Sequence, residues 1–71
     1  MTENELQLRL GIRIKAIRIK KKMTQNELSK ACGIEKASMS RIESGQSNIT
    51  IRTLFKIVRV LNVSMAELFR S

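Results

Sequence analysis

The chain has 71 residues, with 14 Lys and Arg against 6 acidic residues, one Cys, and no His, Pro, Trp or Tyr. That length fits one small domain, 1–71, and not two; without His or a second Cys, neither a disulfide nor a His-containing metal site can staple it, and without Asp or His most catalytic constellations are gone, so no enzyme is expected. The formal net charge of +8 attracts polyanions, nucleic acid first and an anionic membrane surface second.

No apolar run approaches the ~20 residues of a membrane span, so no membrane partner is expected. The polar, acidic start Met1-Thr-Glu-Asn-Glu does not read as a signal peptide. With a single thiol, this points to the cytoplasm.

The first element, residues 5–22, carries two patterns. Leu6, Leu8, Leu10, Ile12 and Ile14 alternate with polar residues and Gly11, which is strand spacing. Leu10, Ile14 and Ile17 also stand at i, i+4, i+7, a helix face. Helix is favoured because a lone strand has no partner in an otherwise helical chain. Leu8, Ile12 and Ile19 then fall off the main stripe, exposed or facing a partner.

Four helix starts follow, written alike. Met23-Thr-Gln-Asn-Glu-Leu28, Ile34-Glu-Lys-Ala-Ser-Met39, Ile49-Thr-Ile-Arg-Thr-Leu54 and Val63-Ser-Met-Ala-Glu-Leu68 each hold an apolar residue, a cap candidate, three residues and another apolar residue. This is the hydrophobic staple, and Thr24 with Glu27 and Ser64 with Glu67 add full capping boxes. Thr50 caps the third copy, and Glu35 is a weaker cap for the second. Gly33, Gly45 and Asn62 supply left-handed stops. The predicted helices are 24–32, 35–44, 50–61 and 64–69.

Helices 24–32 and 35–44 are joined by a short turn at Gly33, as in a helix-turn-helix. Leu28, Cys32, Ile34, Met39 and Ile42 would face the core. That leaves Lys36, Ala37, Ser40 and Arg41 as one outer stripe at i, i+1, i+4, i+5. A basic stripe alone is usually a solvated helix face. The residue types also suit base edges: Arg or Lys for guanine, Ser for several edges, the Ala methyl for thymine.

The spelling Gln25-x-x-Leu28-Ser-x-x-x-Gly33-Ile34-x-x-x-x-Met39-Ser40-x-Ile42-Glu43-x-Gly45 resembles the lambda-repressor-like helix-turn-helix family. That family includes Cro, phage repressors and restriction–modification controller proteins. The resemblance runs from about Leu10 to Phe69 and implies an all-α, compact five-helix domain, with the motif at about 24–44. Departures are small: Ser29 stands where Ala is usual, Glu35 where Ser or Thr is usual, and Gln46 where Lys or Arg is common.

The resemblance also implies roles. Lys36, Ala37, Ser40 and Arg41 match base-reading positions. Gln25, Ser38, Gln46, Ser47 and Asn48 match or adjoin phosphate-gripping positions; Ser47 and Asn48 are otherwise ordinary loop residues. Arg18 and Glu43 match a structural ion pair.

The excess charge lies elsewhere. Residues 1–22 hold seven Lys or Arg against two Glu, residues 23–48 three of each, and residues 49–71 four against one. Non-specific phosphate attraction is therefore assigned to helix 1, Lys20, Lys21, Lys22 and Arg52.

Leu54, Ile57, Val58 and Leu61 form the core stripe of the fourth helix. Phe55, Val60, Met65 and Phe69 are left over; scattered apolar surface residues are common, but a C-terminal cluster fits a two-fold homodimer patch over about 50–69. The expected function is a dimeric, sequence-specific regulator on a pseudo-palindrome in double-stranded DNA. No cofactor and no small-molecule effector are expected. A restriction–modification controller fits the short chain most closely, with a phage repressor or an antitoxin as alternatives. Cys32 reads as a small core residue. Two rivals come from other classes: a membrane-active basic helix and a protein-interaction module that does not bind DNA.

Overall fold

The computed structural model describes residues 1–70. Five helices follow one another: α1 Glu3–Lys20, α2 Gln25–Cys32, α3 Lys36–Glu43, α4 Ile51–Leu61 and α5 Met65–Leu68. No strand occurs among the described residues. The alternation in the first segment is thus overridden. Leu10, Ile14 and Ile17 turn inward, while Leu8, Ile12 and Ile19 stay exposed.

The caps explain the boundaries. The hydroxyls of Thr24, Thr50 and Ser64 accept from the backbone N–H groups of Glu27, Thr53 and Glu67. Both capping boxes close, because Glu27 and Glu67 reach back to the Thr24 and Ser64 N–H groups. Glu35 caps α3 by backbone conformation alone, with no side-chain bond. The first helix corrects the expected 5–22 to 3–20. Thr2 accepts from the Glu5 N–H and starts it early. Lys22, at φ 59°, ends it early, and the Met23 N–H closes onto the Arg18 carbonyl.

The core gathers Leu10, Ile14 and Ile17 of α1, Leu28 and Cys32 of α2, Met39 and Ile42 of α3, and Leu54, Ile57, Val58 and Leu61 of α4. Ile34 packs against it half-buried. Side chains at i, i+3, i+4 share one helix face, so the inward set is the one the spacing dictates. Ser29, buried among these residues, satisfies its hydroxyl by donating to the Asn26 carbonyl at 2.9 Å.

Two glycines set how closely α1 and α3 approach. A Cβ on Gly11 would collide with the Ile42 carbonyl oxygen and lie 2.7 Å from that of Glu43. Gly45 takes φ +76°, and a Cβ there would lie 2.7 Å from Leu8 Cα. The C-terminal end of α3 is therefore seated directly on the backbone of α1.

Candidate nucleic-acid interface

The inner face of α3 is fixed and its outer face is open. Met39 and Ile42 are buried, whereas Lys36, Ala37, Ser40 and Arg41 are all exposed. The turn before α3 depends on Gly33, at φ 68° and ψ 33°, where the Ile34 N–H donates to the Ser29 carbonyl at 2.8 Å. Glycine enters this left-handed region without a Cβ penalty. The turn swings α3 away from α2 and leaves the Lys36 to Arg41 stripe facing solvent.

Neither cation of that stripe is spent on an internal carboxylate. Among the described residues one ion pair forms, between Arg18 and Glu43. Arg41 reaches only the Ser38 hydroxyl, at 3.5 Å, a distance at which little bonding remains. Ser38 is half-buried beside it.

The flanking candidates lie on three other segments. Lys21 and Lys22 are exposed in the turn between α1 and α2, and Arg52 is exposed in the first turn of α4. Gln46 and Asn48 are exposed in the α3–α4 loop, with Ser47 half-buried between them. The Gln46 N–H donates to the Arg41 carbonyl at 2.9 Å, which ties that loop to the end of α3.

Gln25, expected at phosphate, also has an internal partner. Its side-chain Nε2 donates to Glu43 Oε1 at 3.1 Å, joining the buried pair. Arg18 donates from Nε to Glu43 Oε2 at 2.7 Å, from Nη2 to Oε1 at 3.0 Å, and from Nη1 to the Met23 carbonyl at 2.8 Å. One guanidinium thus links α1, the turn before α2 and the last residue of α3. The sequence paired Arg18 with Glu43 by family position only; the Gln25 link carried no spacing signal.

The four dimer-patch candidates do not form a single cluster. Phe55 and Met65 line one shallow cleft together with Arg59, whose guanidinium carbon sits 5.6 Å from the Phe55 ring centre. Val60 is half-buried against the core. Phe69 turns instead toward α1, where it lines a separate groove with Leu6 and Ile12. A tether missed from sequence holds that groove: Arg13 Nε donates to the Glu67 carbonyl at 2.9 Å. A lone cation facing a helix end 54 positions away leaves no local pattern to read.

This geometry is that of a helix-turn-helix domain, and the comparisons agree. The helix-turn-helix family model matches residues 14–68, so the chain belongs to that family of transcriptional regulators. An uncharacterized HTH-type transcriptional regulator of Archaeoglobus fulgidus is 39% identical over 57 residues, covering 80% of this chain and 81% of that protein. Antitoxin HipB of Escherichia coli K12 is 40% identical over 52 residues, covering 73% of this chain and 59% of HipB. Among solved structures, the restriction-modification controller protein C.AhdI from Aeromonas hydrophila superposes with a TM-score of 0.86 at 25% identity, over 89% of this chain and 96% of that one. The wild-type restriction-modification controller protein C.Esp1396I superposes at 0.82 with 34% identity, over 90% and 82%. No described helix is long and apolar enough to cross a membrane.

Proposed function

We propose that this protein is a sequence-specific DNA-binding regulator that occupies a pseudo-palindromic operator as a homodimer, with α3 in the major groove. The observation that carries the reading is the outer face of α3: two cations without carboxylate partners, a serine and an alanine, on a helix held from behind. Eight residues of helix extend about 12 Å, and the major groove is about 12 Å wide. Lys36 and Arg41 are assigned to guanine edges, Ser40 to a neighbouring edge and Ala37 to a thymine methyl.

Lys21, Lys22, Ser38, Gln46, Ser47, Asn48 and Arg52 are assigned to phosphates, which set position without specifying sequence. Gln25 donates one amide N–H to Glu43, and its second is assigned to phosphate.

The longest dimension of the domain is 31 Å, short of the 34–36 Å between successive major-groove openings on one duplex face. With one α2–α3 unit, one chain is assigned to one half-site. Phe55 and Met65, on the α4–α5 surface, are the favoured centre of a two-fold contact. The likeness to controller proteins and to HipB supports a restriction–modification controller or an antitoxin-type autoregulator.

Selection from a random duplex pool tests the proposal. Enrichment of an inverted repeat with half-sites one turn apart supports it. Recovery of no sequence preference would instead leave the fold as an interaction module without a DNA code.

A further inference from the structure

The surface between α1 and α5 is apolar with a cationic rim. A groove of about 470 Å³ runs there. Leu6 and Ile12 of α1 form one wall, Leu68 and Phe69 the other. Ile12 is 58% exposed and Phe69 51%, so the apolar lining is open to solvent. Three guanidiniums, those of Arg9, Arg13 and Arg70, border it, and no carboxylate side chain lies in its lining.

We infer that this groove docks an acidic amphipathic helix of another protein. The apolar walls suit the i, i+3, i+4, i+7 anchors of a helix laid in a groove. Charge decides among the occupants. A second copy meeting it through the same face would bring the same cationic rim with no carboxylate side chain in its lining, and like charges juxtaposed at an interface are penalised. Carboxylates flanking an apolar stripe would meet the exposed guanidiniums of Arg9 and Arg70 and the terminal nitrogens of Arg13, whose Nε is held by the Glu67 carbonyl.

The length of the exposed surface also favours a helix over a small anion. Along α1 the lining runs from Leu6 through Arg9, Ile12 and Arg13 to Ala16. From Leu6 to Ala16 this runs about 15 Å at 1.5 Å per residue.

The groove is independent of α3. Gly11 presses on the end of α3, while Arg9 and Arg13 border the groove. At about 100° per residue, these positions fall roughly 160° around α1 from Gly11. A partner seated in the groove leaves the Lys36 to Arg41 face open.

The test uses the full chain without DNA, so its outcome does not depend on the operator reading. Two labelled 18-residue helical peptides share a Leu stripe and differ only in flanks, Glu in one and Lys in the other. The Glu peptide is expected to bind in the micromolar range by fluorescence anisotropy, and to shift the NMR signals of Leu6, Ile12 and Phe69. The Lys peptide is expected to bind at least about tenfold more weakly, as opposite rim charge predicts. Ile12→Glu and Arg9→Glu, both at exposed positions and checked for folding by circular dichroism, should each lower affinity for the Glu peptide about tenfold or more.

Equal binding of both peptides, no binding of the Glu peptide, or unchanged affinity in both variants would overturn the inference. So would signal shifts confined to Phe55 and Met65. Displacement of the Glu peptide by decanoate or by anionic phosphatidylglycerol vesicles at lower concentration than by unlabelled peptide would reassign the groove to lipid.

Discussion

Arg18 and Glu43 face each other as a two-pronged ion pair, with side chains only 9% and 2% exposed. The pair joins the first helix to the last residue of α3, and Gln25 adds a third donor to the same carboxylate. Burying two charges costs several kcal/mol per ion, and the attraction offsets this only when every hydrogen bond is made. Here no buried side-chain polar atom among the described residues lacks a partner.

Removing one member should therefore cost more than removing both. Arg18→Ala is expected to destabilise by about 3–5 kcal/mol, because Glu43 is left buried and unpaired. The double change Arg18→Met with Glu43→Leu should recover most of that loss. Urea unfolding of the two variants and the parent protein checks this; a double variant as unstable as Arg18→Ala would show that the pair matters for packing and not for charge.

Gly11→Ala is the sharpest packing test. The added methyl meets the backbone carbonyls of Ile42 and Glu43, which cannot rotate away as a side chain would. A loss of about 1–3 kcal/mol is expected from overpacking. Gains from helix propensity, about 1 kcal/mol for Gly to Ala, act in the opposite direction. A thermal midpoint that rises would mean α1 and α3 are not in this close contact.

Lys22 separates stability from binding. It holds φ 59°, a left-handed conformation that costs an L-residue roughly 1–2 kcal/mol and glycine little. Lys22→Gly should leave the thermal midpoint equal or higher. The same change should weaken cognate and random duplex alike, and flatten the slope of log affinity against log salt by about one unit. Loss on the cognate duplex alone would move Lys22 from phosphate contact to base reading.

Cys32 is buried in the core, and that burial pushes its thiol above the ordinary 9.0, with the nearby Lys56 charge pulling weakly the other way. The folded state then holds the proton more tightly than the unfolded state. This contribution to stability is full below pH 9 and is lost as the pH rises through the folded value. Because the thiolate is the nucleophile, Ellman's reagent at pH 8 should react slowly with the native protein and rapidly in 6 M guanidinium chloride. Rapid reaction of native protein would place Cys32 at the surface.

Most of the fold was legible because its helix starts obey local chemistry. Thr24, Thr50 and Ser64 announce their helices through contacts three residues away. The Thr2-x-x-Glu5 spelling carries the same signal for α1. Segment α1 itself was ambiguous because its apolar residues satisfy two periods, and only tertiary partners choose between them. Long-range polar links left no trace. Arg13 finds the Glu67 carbonyl, and Gln25 finds Glu43, through packing that no sequence spacing encodes. The candidate site was legible as a stripe because Met39 and Ile42 fix which side of α3 faces inward. The dimer patch was less so, since Phe55 and Phe69 look alike in sequence but face different clefts.

The most direct test of the central claim is the affinity of Arg41→Ala for a selected operator and for a random duplex of equal length, at one salt concentration. The account predicts a loss of about 1–3 kcal/mol on the operator and nearly none on the random duplex beyond one cation's share. Equal losses on both would contradict it, because Arg41 would then touch phosphate alone and the outer face of α3 would not read sequence.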